Sequence, residues 1–100
     1  MAIHELAMKV TIKFLALVYD MVGKLKVDVE LPCGSTVSDL IRVIDRTVKP
    51  RFSESVINNG RLSEKFLILI NGRSIDHLDG LDTRLKDGDE VTILPHCGVA

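Results

Sequence analysis

The sequence predicts an α+β domain in which one main helix packs across a mixed sheet of four to five strands. Three observations carry that reading. Apolar and polar residues alternate from Met8 to Val18 and again from Lys24 to Leu31. One stretch, Val37 to Val48, has helical spacing, and two further apolar runs follow, Phe66 to Ile70 and Val91 to Leu94.

Residues 1–7 show neither clean alternation nor a helix cap and read as a loose extension ahead of a domain spanning 8–95. From Met8 to Val18, the apolar Val10, Ile12, Phe14 and Ala16 alternate with Lys9, Thr11 and Lys13, as in a half-buried strand. Leu15 and Leu17 break this pattern by putting apolar groups on the face that the polar residues mark as solvent. Tyr19-Asp20-Met21-Val22-Gly23 reads as a short connection, with Gly23 free to take a positive φ. In the next run Leu25, Val27, Val29 and Leu31 point inward, and Lys24, Lys26, Asp28 and Glu30 outward. The two runs form a predicted antiparallel hairpin. The charge on its second strand suits a sheet edge, where it discourages pairing with another chain.

Pro32-Cys33-Gly34-Ser35 is a turn, after which Thr36 occupies an N-cap position with Asp39 near the positive helix end. Val37, Leu40, Ile41, Ile44 and Val48 recur at helical spacing opposite Ser38, Asp39, Arg42, Asp45 and Arg46. Pro50 ends this helix, because it disfavours helical geometry in Lys49. Between Arg51 and Lys65, Phe52, Val56, Ile57 and Leu62 suit a short helical turn on the core, and Asn58-Asn59-Gly60 is a turn cluster. Phe66-Leu67-Ile68-Leu69-Ile70 is apolar on both faces and reads as a central strand. Asn71-Gly72-Arg73 reverses the chain, and Arg73-Ser74-Ile75 reads as a brief strand. Asp76 to Lys86 is a loop with Leu78, Leu81 and Leu85 inward. Asp87-Gly88-Asp89 turns into a last strand, where Val91 and Ile93 alternate with Thr92 and Leu94 and Pro95 stops the run.

Strand, strand, helix, strand, short strand, strand is the order of a β-grasp domain, whose first and last strands lie parallel and adjacent. The exit of the last strand then lies beside Tyr19 to Gly23, and the Cys33 turn lies at the other end of the sheet. Some five residues of strand at about 3.3 Å each separate the two ends, so Cys33 and Cys97 are not expected to meet.

Three local features resemble the MoaD/ThiS family of ubiquitin-like sulfur carriers. They are Leu31-Pro32-Cys33-Gly34-Ser35-Thr36-Val37 leading Asp39-Leu40 into the helix, Ile70-Asn71-Gly72-Arg73, and Leu85-Lys86-Asp87-Gly88-Asp89-Glu90-Val91 before Leu94-Pro95. The resemblance is strongest toward the molybdopterin-synthase small subunit and runs from Met8 to about Pro95. It implies a carrier with no cofactor of its own, whose C-terminal glycine carboxylate is adenylated by an E1-like adenylyltransferase and converted to a thiocarboxylate. The tail is then threaded into a synthase large subunit or other sulfur acceptor. Gly suits such a tail because it lacks a Cβ and passes a narrow channel. Family members end in Gly-Gly, whereas this chain reads Cys97-Gly98-Val99-Ala100, so removal of Val99 and Ala100 would make Gly98 the reacting end.

The totals narrow the partners. At 100 residues there is room for one core, and an apolar fraction of 46% supports folding. A net charge of -1, with both signs interspersed, offers no field for nucleic acid or an anionic membrane. No apolar run approaches the roughly 20 residues of a membrane span, and the start is too short and polar for a secretory signal, so a cytoplasmic protein is expected. Two cysteines are too few for a disulfide framework or a cysteine-ligated cluster, a β-grasp ferredoxin included.

The candidate surface is the sheet face turned away from the helix, with Leu15, Leu17, Leu67, Leu69 and Leu94 expected to share it and to dock a partner. Tyr19, Met21 and Val22, with Pro95 and His96, extend it toward the tail, residues 96–100, read as flexible. Either this face binds a partner, or residues 1–7 or 51–65 cover it. Cys97 is a second candidate, as a thiol carrying sulfur in persulfide form. His4, His77, His96 and Cys97 lack ligand spacing on a common element, so no metal site is expected. The acids Asp87, Asp89 and Glu90 read as turn residues around Gly88. No nucleophile-base pair or phosphate loop is evident, so the chain itself is not expected to be an enzyme. Its rival reading is a non-transferring interaction module with an inert tail.

Overall fold

A computed structural model describes residues 7–96. The chain runs β1 (Ala7–Phe14), α1 (Leu17–Val22), β2 (Lys26–Pro32), α2 (Val37–Thr47), α3 (Phe52–Val56), β3 (Ile57–Asn58), β4 (Arg61–Leu62), β5 (Phe66–Ile70), β6 (Arg73–Ser74) and β7 (Glu90–Pro95), with 3-10 turns at Ile75–His77 and Gly80–Asp82. Five strands make one sheet in the order β2-β1-β7-β5-β6, and β3 and β4 form a separate hairpin. β1 and β7 are parallel, and the other neighbours in both sheets are antiparallel. This is the β-grasp arrangement. Among the described residues no helix is long and apolar enough to cross a membrane.

Alternation decides the core. Met8, Val10, Ile12 and Phe14 of β1, Ile68 and Ile70 of β5, and Val91 and Ile93 of β7 all turn to one face and are buried. Val37, Leu40, Ile41 and Ile44 of α2 are buried with them in a single core. Phe52 of α3 meets Phe14 edge to face, with ring centroids 6.0 Å apart, which places α3 on the helix side of the sheet. The helix starts where expected. Thr36 accepts from the Asp39 N–H, and the Asp39 carboxylate accepts in return from the Thr36 N–H at 2.9 Å, a reciprocal capping box. Leu85 is buried, and Leu78 and Leu81 pack on the core, as predicted.

The structure corrects several expectations. β1 ends at Phe14 rather than at Val18, because Ala16 takes a left-handed φ of 54° and turns the chain into α1. The predicted loop Tyr19–Gly23 is mostly this helix, closed by Gly23 in the left-handed conformation with its N–H on the Tyr19 carbonyl. Val18, Met21 and Val22 recur at i, i+3 and i+4, and that helical stripe overrides the alternation that runs through Ala16. Leu25 is 57% exposed rather than inward, since it precedes β2. The middle strand is β7, and β5 lies between it and the two-residue β6.

Two hairpins turn on Asn-Gly pairs. Asn59 and Gly60 have φ of 54° and 76°, and Asn71 and Gly72 of 51° and 87°, the paired left-handed residues that a two-residue type I′ turn requires. The first of these joins β3 to β4, a hairpin within Arg51–Lys65, where the expected short helical turn is α3 and the sequence suggests a turn but no strands.

Candidate functional site

β7 is flanked on both sides, and its C-terminal end is where the described chain leaves the sheet. Pro95 stands opposite Phe66, and one rung further the His96 N–H donates to the Lys65 carbonyl at 2.9 Å. The chain is thus held to the sheet through His96. Cys97 and Gly98, the predicted sulfur-carrying terminus, lie outside the described residues.

This exit is at the end of the sheet where β1 finishes, since Phe14 lies opposite Ile93 and the Leu15 N–H donates to the Ile93 carbonyl. α1 begins there and packs beside β7. Val18 anchors it in the core, with Met21 and Val22 half-buried against the same core, while Leu17 and Tyr19 are 66% and 44% exposed. With Leu25, these two are the exposed large apolar side chains among the described residues. Cys33 is exposed in the turn after β2, and Pro32 pairs with Ala7 at the far end of β1, so the exit and that turn lie at opposite ends of the sheet.

On the face away from α2, Leu67 of β5 opposes Leu94 of β7, and Leu69 opposes Thr92. All four are half-buried. On the β1 side this face turns polar: Lys13 lies next to Thr92 and reaches the Glu90 carboxylate at 3.1 Å. The sequence did not reveal that ion pair, because only the parallel register of β1 on β7 brings the two residues together.

The predicted surface residues therefore divide. Leu67, Leu69 and Leu94 do share the outer face, whereas Leu17 sits on α1 with Tyr19, and Leu15 follows the last residue of β1 and is half-buried. Met21 and Val22 face the core more than solvent. Pro95 is half-buried and His96 exposed, both at the exit. Of the segments named as cover, Phe52–Val56 lies against α2 on the other side of the sheet, and residues 1–6 lie outside the described residues.

The acids of the last turn serve the fold. Asp89 accepts from the Asn71 side-chain amide at 2.9 Å and from the Lys86 N–H at 2.8 Å, and Asp87 accepts from the Lys9 N–H at 2.8 Å. Among the described residues no group of His, Cys, Asp and Glu is arranged to hold a metal ion. What the arrangement offers is a middle strand paired on both sides, a mixed apolar and charged face beside it, and α1, with its exposed Leu17 and Tyr19, in contact with that strand.

Comparison with known proteins agrees. The profile of the ThiS family matches residues 12–98. "Small archaeal modifier protein 3" of Haloferax volcanii is 30% identical over 88 residues, covering 88% of this chain and 95% of that protein. "Putative sulfur carrier protein" of Archaeoglobus fulgidus is 33% identical over 73 residues, covering 73% of this chain and 80% of that one. Among solved structures, "Putative molybdopterin converting factor, subunit 1" from Pyrococcus furiosus superposes with a TM-score of 0.70 at 30% identity, covering 88% of this chain and 97% of its own. The β-grasp sheet and a family match over most of the sequence converge, and the chain belongs to the ThiS family of ubiquitin-like sulfur carriers and modifiers.

Proposed function

We propose that this chain is a sulfur carrier for molybdopterin or related thio-cofactor synthesis in the cytoplasm, working from Gly98 after Val99 and Ala100 are removed. The carboxylate of Gly98 attacks the α-phosphorus of ATP on an E1-like adenylyltransferase, and pyrophosphate leaves. A sulfide donor then attacks the acyl carbon, AMP departs with the original oxygen, and a thiocarboxylate remains. The chain contributes the reacting end and its presentation, while the enzyme and a synthase large subunit, or another sulfur acceptor, contribute the chemistry.

The observation that carries this reading is the end of β7. Among the described residues His96 is the last tied to the sheet, and Gly98, where the family match also ends, follows two positions on. α1, which carries the exposed Leu17 and Tyr19, contacts β7, and Leu67, Leu69 and Leu94 supply a half-buried face on β5 and β7, a mixed apolar surface of the kind that docks partners. Mass spectrometry of the protein from its native cell tests it. The expected species ends at Gly98 and carries sulfur in place of one oxygen. A population ending uniformly at Ala100, unmodified by any E1-like enzyme, would overturn the proposal.

A further inference from the structure

The sheet has one long open edge. β2 is the outermost strand and pairs only with β1 among the described residues. The Phe14 N–H donates to the Leu25 carbonyl, so Leu25, Val27 and Val29 turn their backbone groups toward β1. By the same alternation Lys26, Asp28 and Glu30 turn theirs outward, away from the sheet, with Lys24 just ahead of the strand. Those four residues are exposed, and their charges run plus, plus, minus, minus along the edge.

That order is self-complementary in one register. Paired antiparallel with a second β2 about a two-fold axis at Val27, Lys26 of each copy meets Asp28 of the other, and every charged contact within the paired strands joins opposite signs. Moving the axis to Asp28 sets Asp28 against itself, and moving it to Lys26 sets Lys26 against itself. Axes between residues match an outward backbone group with an inward one and break the ladder. The charge that guards this edge against general pairing thus admits a single arrangement. Lys26 has a further reason to seek an acid. It lies opposite Lys13 on β1, whose charge is already engaged by Glu90, and among the described residues it has no ion-pair partner.

We propose that the partner of this edge is a second copy of the chain, joined through β2 in the Val27-centred register. The two sheets then become one, with both α2 helices on one side and both Leu67 and Leu94 faces open on the other. The two β7 exits leave at opposite ends. Edge pairing alone falls below the ~1,200 Å² of standard stable complexes, so the dimer is concentration-dependent, and its charge contacts weaken with salt.

Sedimentation equilibrium of the full chain at rising concentration, in low and high salt, tests this together with amide exchange. Wild type is expected to dimerise, more weakly in high salt. The Lys26 and Asp28 amides should gain protection with concentration, while those of Val27 and Val29 stay protected throughout. Lys26→Asp and Asp28→Lys should each lose at least ~10-fold in self-association, since like charges then face each other. Mixed in equal amounts they should form a heterodimer, because every contact is again opposite in sign. Asp28 also accepts from the Thr11 hydroxyl at 2.7 Å, so Thr11→Val, which removes that bond and keeps every edge charge, should associate like wild type. Circular dichroism checks folding of each variant. A wild type monomeric at every concentration, single variants that associate like wild type, or mixtures that stay monomeric would each overturn the proposal.

Discussion

Leu67 and Leu94 oppose each other across the antiparallel β5–β7 pair, on the sheet face that α2 does not cover and next to the point where the chain leaves the sheet. Their neighbours Ile68 and Ile93 are fully buried on the other face, so the strands are fixed by one set of side chains and display another. Replacing Leu67 or Leu94 by Asp should therefore spare the fold and weaken capture by an E1-like enzyme about 10- to 100-fold, as expected of a central apolar contact. Binding by calorimetry, beside an unchanged thermal melt, checks this.

Deleting residues 97–100 separates delivery from docking. If the tail carries the reacting group, the truncated chain still binds its partner through the outer face but accepts no adenylate, which an ATP–pyrophosphate exchange assay reads directly. Gly98→Val should do likewise, since a branched Cβ obstructs a channel that glycine passes.

Asp89 is buried and joins the turn after β5 to the start of β7 through Asn71 and the Lys86 N–H. Asp89→Ala leaves both donors without their partner and should cost about 1–3 kcal/mol in urea unfolding. Asn71→Ala removes the amide and also the acceptor for the Glu90 N–H, so the two single changes should combine to less than their sum in a double-mutant cycle.

Phe52 is 1% exposed and meets Phe14 edge to face. Phe52→Ala should destabilise the domain by about 3–5 kcal/mol, while Thr36→Ala, which removes the hydroxyl of the capping box, should cost about 1 kcal/mol. Chemical denaturation of both variants checks the contrast. A capping loss as large as the core loss would mean that Thr36 does more than cap.

Most of the architecture was legible because it rests on periodicities that a sequence carries locally. Val10, Ile12 and Phe14 announced β1, Thr36 and Asp39 the start of α2, and Asn71-Gly72 the turn after β5. The run Leu15 to Val22 is ambiguous for a physical reason: alternation extends through Ala16 while a helical stripe starts at Val18, and packing of Val18, Met21 and Val22 against the core decides in favour of the helix. The outer face was only half legible. Leu67, Leu69 and Leu94 could be placed by parity within strands, whereas Leu17 could not, since its position depends on where the strand stops.

By itself, then, the order of side chains determined the fold class, the helix cap, the Asn-Gly turns and the family, all of which depend on neighbours within a few positions. Only the folded arrangement decided that β7 is the middle strand, that Lys13 engages Glu90, that α1 with Leu17 and Tyr19 contacts β7, and that Lys26 to Glu30 form an open edge among the described residues. Those are relationships between residues far apart in the chain, and strand register, which no local pattern encodes, is what brings them together.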